Sequence, residues 1–86
     1  MKPEQVVLYP LMTEKAIDLI EKENKLIFVV NRNAGKRDIA TAVEELYKVE
    51  VEKVQTMITR TGLKRAYVRL SPAHNASDLA IKLGIL

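Results

Sequence analysis

The spacing of apolar residues changes repeatedly along the chain, and each change marks an element. "VVLYPL" (Val6 to Leu11) is a short apolar run interrupted by Pro10, which has no amide proton for a central ladder, so it predicts an edge strand or an extended lead-in. Over "TEKAIDLIEKEN", Ala16, Ile17 and Ile20 fall on one helical stripe. Thr13 suits the N-cap, Glu14 sits in the first turn where the helix dipole favours an acid, and Asn24 suits the terminator. Asp18 and Lys22 are spaced for an i,i+4 ion pair. "KLIFVV" (Lys25 to Val30) is unbroken and rich in β-branched residues after its lysine, the mark of a strand buried on both faces. "NRNAG" reads as a turn. "KRDIATAVEELYK" then reads as a helix, with Ile39, Ala42, Val43, Leu46 and Tyr47 at helical spacing.

From Val49 the period becomes two. Val49 and Val51 alternate with Glu50 and Glu52, and Val54, Thr56 and Ile58 alternate with Gln55, Met57 and Thr59. The parity slips by one between Val51 and Val54, which places a bulge or the true strand start near Glu52–Lys53. Thr61–Gly62 makes a tight turn, and "LKRAYVRL" returns with Ala66, Val68 and Leu70 pointing one way and Arg65, Tyr67 and Arg69 the other. Pro72 breaks that strand, Asn75 or Ser77 caps a short helix, Gly84 ends it, and Ile85 and Leu86 are expected to tuck against the body. The order strand, helix, strand, helix, strand, strand, helix is α+β: a small three- to four-stranded antiparallel sheet flanked by helices, in a single domain over residues 1–86.

Composition narrows the classes of function. With 86 residues and a hydrophobic fraction of 48%, the chain can build one core but not a core plus a deep pocket. There is no cysteine, which excludes disulfides and thiolate zinc sites. The N-terminus lacks a signal-peptide pattern and no apolar run approaches the roughly 18 residues of a membrane helix, so the expectation is a cytoplasmic protein without direct membrane insertion. The single histidine, His74, has no nucleophile or carboxylate pair beside it, and Glu44 and Glu45 diverge on their helix by about 100°. No ligand spacing suggests a metal, and no cofactor is expected. Gly35–Lys36 resembles the end of a phosphate-binding Walker loop, but Val30 stands where that loop needs glycine and Arg37 where it needs serine or threonine.

Charge changes the picture most. Residues 1–52 carry eight basic and ten acidic side chains, whereas residues 53–86 carry six basic and one acidic. Such polarity suggests an anionic partner for one surface and a different partner for the other; a solvated basic hairpin is the plain alternative. Lys36 and Arg37 occupy a first helical turn, where the dipole disfavours each cation by about 0.3–1 kcal/mol, as though an anion were to offset them. Arg32, Lys36 and Arg37 lie at one strand-to-helix turn, and Arg60, Lys64, Arg65 and Arg69 lie on the hairpin. Arg65, Tyr67 and Arg69 interleave an aromatic with planar cations, a pattern suited to phosphate pairing and to stacking on an exposed base. The other reading makes Tyr67 core and the arginines a snorkelling cover. Aromatic residues make up only 5%, too few for a sheet that reads several bases, so structured RNA held by shape and backbone is favoured. The second function carried forward is a protein-interaction module whose basic hairpin docks an acidic partner.

Several segments in order resemble one family: P-x-x-T-E-K-A (Pro10, Thr13 to Ala16), N-K-L-x-F-x-V (Asn24 to Val30), A-x-K-x-x-I-x-x-A-V-E-x-L (Ala34 to Leu46) and K-R-A-Y-V-x-L (Lys64 to Leu70). They are similar to the universal family of large-subunit ribosomal proteins numbered twenty-three, and the ending "ASDLAIKLGIL" resembles its archaeal and eukaryotic branch. The resemblance implies a non-catalytic constituent of the large subunit near the polypeptide exit tunnel, bound to large-subunit rRNA and flanked by neighbouring ribosomal proteins. It also implies a docking surface for trigger factor, the signal recognition particle and the translocon, with Glu14 in the docking region. Bacterial relatives extend the link between the last two strands into the tunnel; here that link is too short to reach far toward the nascent chain.

Overall fold

The computed structural model describes residues 1–86. Its strands β1 (Val7–Pro10), β2 (Lys25–Val30), β3 (Val51–Ile58) and β4 (Lys64–Leu70) form one antiparallel sheet in the order β1-β2-β4-β3. The helices are α1 (Pro3–Val6), α2 (Glu14–Glu23), α3 (Lys36–Tyr47) and α4 (Ala76–Lys82). Pro10 is tolerated because β1 lies at the sheet's edge. The apolar β2 lies inside, between β1 and β4, and Leu26 to Val30 are all buried.

Parity decides which side of the sheet becomes core. Leu26, Phe28, Val30, Val54, Ala66, Val68 and Leu70 join Ile20 of α2, Ile39, Ala42 and Val43 of α3, and Leu79 and Ala80 of α4 in a single cluster of 17 buried residues. All the longer helices thus cover the same face. Burying each large member contributes roughly 1.5–3 kcal/mol. Phe28 lies at the centre, its ring stacked on Tyr47 with centroids 5.9 Å apart. Burial pushes the Tyr47 phenol above its ordinary pKa.

Thr13 caps α2 by accepting the Ala16 amide at 3.2 Å, and Asn24 ends it in the left-handed region at φ 56°. The expected bulge sits between Val51 and Lys53, where the pairing shifts from Val51↔Leu70 to Lys53↔Arg69. Asn75 caps α4, accepting from the amides of Ser77 and Asp78.

Four details depart from expectation. The short α1 has no apolar period to betray it; its start is held by the Lys2 amide donating to Gln5 Oε1 at 2.9 Å. Asp18 and Lys22 make no ion pair; the solvated end of α2 instead pairs Glu23 with Lys25 at 3.1 Å. Leu46 stays 37% exposed, because the stripe of α3 narrows toward its C-terminus as Tyr47 takes the place over Phe28. Ile85 packs on the core, but Leu86 stays exposed.

Candidate nucleic-acid interface

Register brings the two basic loops together. Val30, Lys64 and Ile58 lie side by side at one end of the sheet, because Lys64 pairs with Val30 on one flank and with Ile58 on the other. The β2–α3 loop (31–35) and the β3–β4 turn (59–63) therefore leave the sheet as neighbours. Two contacts fix them together. Lys64 Nζ donates to the Ala34 carbonyl at 2.6 Å, reaching from the hairpin to the other loop. A β-carbon placed on Gly62 would lie 3.6 Å from Arg32 Nη1, so the Arg32 guanidinium rests over the turn.

The turn is held by its own residues. The Gly62 amide donates to the Thr59 carbonyl at 3.0 Å, and Thr59 Oγ1 accepts from the Leu63 amide at 3.2 Å. Gly62 has φ +86°, which only glycine adopts without strain. Gly62→Ala is therefore expected to cost about 1–2 kcal/mol, the left-handed penalty alone, since 3.6 Å is ordinary contact. Thermal denaturation of the variant checks this; an unchanged midpoint would show that the turn relaxes freely.

Arg32 and Arg60 are exposed and Lys64 and Arg65 half-buried. None of the four meets a carboxylate within ion-pair distance, since the chain's ion pairs involve only Lys25 and Arg69 as cations. Arg65 Nε is buried and has no hydrogen-bond acceptor. Lys64 has spent one donor on Ala34 and so both positions the loop and adds charge. Lys36 is exposed at the first position of α3, next to the same loop. Asp38 Oδ2 accepts the Gly35 amide at 3.0 Å, so the acid beside these cations is committed to capping. Arg37 turns elsewhere, into a groove it shares with Met1, Pro3, Asp38 and Glu45.

Arg69 is set apart. It lies at the opposite end of β4, with Nη2 3.7 Å from Glu23 Oε1 and Nη1 4.0 Å from Glu52 Oε1. Glu21, Glu23 and Glu52 line an open cleft of about 460 Å³ there, with Lys22, Asn24, Arg69 and Asn75. Strand length separates this charge-balanced end from the basic loops by roughly 17 Å. Tyr67 is half-buried on the sheet face away from the helices, not in the core cluster.

Glu14, at the first position of α2, is exposed and makes no ion pair, and Met12 beside it is 62% exposed. Reasoning on sequence missed the Lys64–Ala34 clamp and the contact of Arg32 with the turn. Both depend on the pairing of β2 with β4, which no local pattern announces.

Residues 5–78 match the family described as ribosomal protein L23. The chain is 57% identical over 76 residues to the large ribosomal subunit protein uL23 of Pyrobaculum aerophilum, an alignment covering 88% of this chain and 94% of that one. A match of this extent, over the strands and both basic loops, establishes that the chain belongs to the ribosomal protein L23 family, structural and non-catalytic constituents of the large ribosomal subunit whose partners are its RNA and its proteins.

Proposed function

We propose that the chain grips large-subunit rRNA with the joined loop end of the sheet, Arg32, Arg60, Lys64 and Arg65 meeting phosphates and Lys36 adding charge at the start of α3. The single observation that carries this reading is that two loops distant in sequence are pinned together by Lys64 and Ala34 with their cations unneutralised. Arginine suits the task because its planar fork meets two phosphate oxygens at once. Arg69 contributes less, being held by Glu23 and Glu52. Arg37 lies at the margin. The direct test is binding to large-subunit rRNA over a range of salt concentrations, since each phosphate contact releases counterions. The competing reading, a protein-interaction module that docks an acidic partner, predicts that the chain washes off intact large subunits at high salt; retention there excludes it.

A second surface is proposed for protein factors at the exit tunnel, among them the signal recognition particle and the translocon. An exposed, unpaired Glu14 next to an exposed Met12 supports it, joining a charge to an apolar contact at a place remote in sequence from both basic loops. Glu14→Lys is expected to weaken docking of the signal recognition particle by about tenfold or more and to leave rRNA binding unchanged. Co-sedimentation with subunits carrying either protein measures the first and filter binding the second. Equal losses in both would make Glu14 merely a helix-start acid.

A further inference from the structure

Every strand contributes to a second sheet face that no helix covers. The register builds it in cross-strand rows: Tyr9, Val29, Arg65 and Met57 form one, Ile27, Tyr67 and Gln55 the next, and Lys25, Arg69 and Lys53 the last. None of these residues is acidic. Ile27 and Val29 are only 4% and 1% exposed although no element lies above them, so the longer side chains around them lie down over the sheet. Tyr67 shows the same habit. Its hydroxyl reaches Met57 Sδ at 3.5 Å, yet Met57 stands opposite Arg65 and not opposite Tyr67. The phenol therefore leans diagonally across β4 toward β3, and Tyr67 stays partly exposed on this face. Arg65 lies on the next row and has no carboxylate partner, and its Nε has no acceptor within the chain.

We infer that this open face receives a single unpaired nucleotide of the bound RNA, its base stacked on the Tyr67 ring and its phosphate paired with Arg65. Charge selects the occupant: the face is apolar and aromatic beside an unpaired arginine and is continuous with the basic loops through Arg65, while Glu23 and Glu52 are held by Lys25 and Arg69 at the far row. Any base fits, because every base has a π-face, so the contact positions the RNA without reading its sequence. Tyr9 lies two strands from Arg65, roughly 10 Å across the sheet, too far to close on the same base from the other side. The stack is one-sided.

The inference rests on the proposed rRNA reading, and the experiment separates the two. The chain contains no tryptophan, so Tyr67→Trp installs a single emitter on the face. The variant is titrated with Pyrobaculum aerophilum large-subunit rRNA, following filter binding and tryptophan emission in the same samples. The expected result is near-native binding with strong quenching of emission. Tyr67→Phe, which loses only the contact with Met57, binds like the native chain. Tyr67→Leu, folded by circular dichroism, binds about 10- to 100-fold more weakly with an unchanged salt slope, because stacking releases no counterions. Binding with unmoved emission and a native-like Tyr67→Leu would overturn the inference and leave the loop-end reading standing. Absence of rRNA binding by the native chain would overturn both.

Discussion

Asn24→Asp is expected to lower the melting temperature by roughly 12–24 °C, the equivalent of about 3 kcal/mol in a domain of this size. Asn24 terminates α2 in the left-handed region and then ties three segments together. Its side-chain amide lies within hydrogen-bonding distance of the carbonyls of Leu70 at 3.2 Å and His74 at 3.0 Å, with that of Ser71 at 3.4 Å. Its Oδ1 accepts the Ala76 amide at 2.7 Å. Aspartate keeps the backbone conformation and that last bond, but it removes the donor and turns a carboxylate toward the carbonyl oxygens. Glycine also keeps the backbone and loses every side-chain bond without adding a charge, so Asn24→Gly should cost about 1–2 kcal/mol. Alanine adds about 1 kcal/mol for a β-carbon at φ 56°. Urea denaturation should rank them native, glycine, alanine, aspartate. If glycine and aspartate prove equal, the carbonyl cluster is not what the amide stabilises.

Replacing Arg32, Arg60 and Arg65 together by alanine is expected to reduce the slope of log affinity against log salt by about 3, and to weaken rRNA binding roughly 100- to 1,000-fold at low salt. Lys64 is left in place, because its removal would also release the Ala34 carbonyl and confuse lost charge with a displaced loop. Arg69→Ala is the internal control: its ion pairs with Glu23 and Glu52 compete with any phosphate, so it should move the slope by clearly less than one arginine of the loop end. Filter binding between 50 and about 300 mM salt measures both. Equal slopes for the triple variant and the native chain would remove the loop end from the interface.

The elements were readable because their signals are local. Thr13, Asn24 and Asn75 mark helix ends, Pro10 marks an edge, and the parity slip after Val51 marks a bulge where the chain has one. The apolar β2 and the alternating β4 sorted correctly into buried and outward positions. The short α1 escaped because four residues hold no period. The site was half readable. Sequence shows that two loops are basic, but only the pairing of Val30 with Lys64 shows that they adjoin. It also grouped Arg69 with Arg65 by alternation, whereas the length of β4 takes Arg69 to the far end and the pairing of chain ends gives it Glu23 and Glu52. Asn24 was legible as a stop and not as a hub, since its partners lie 46 to 52 residues away. Family membership bears out the place in the large subunit that the motifs of the chain implied, and in archaea that subunit is cytoplasmic.

Cations without facing carboxylates at the loop end, against Glu21, Glu23 and Glu52 balanced by Lys22, Lys25, Lys53 and Arg69 at the other, set the net charge of +3 off-centre in the molecule. A polyanion approaching from any direction exerts a torque before contact, turning the loops forward and the charge-balanced cleft away. Fewer collisions are then wasted on wrong orientations. At physiological ionic strength the screening length is about 8 Å, shorter than the length of the sheet, so this steering acts only in the last approach and should vanish first as salt is raised.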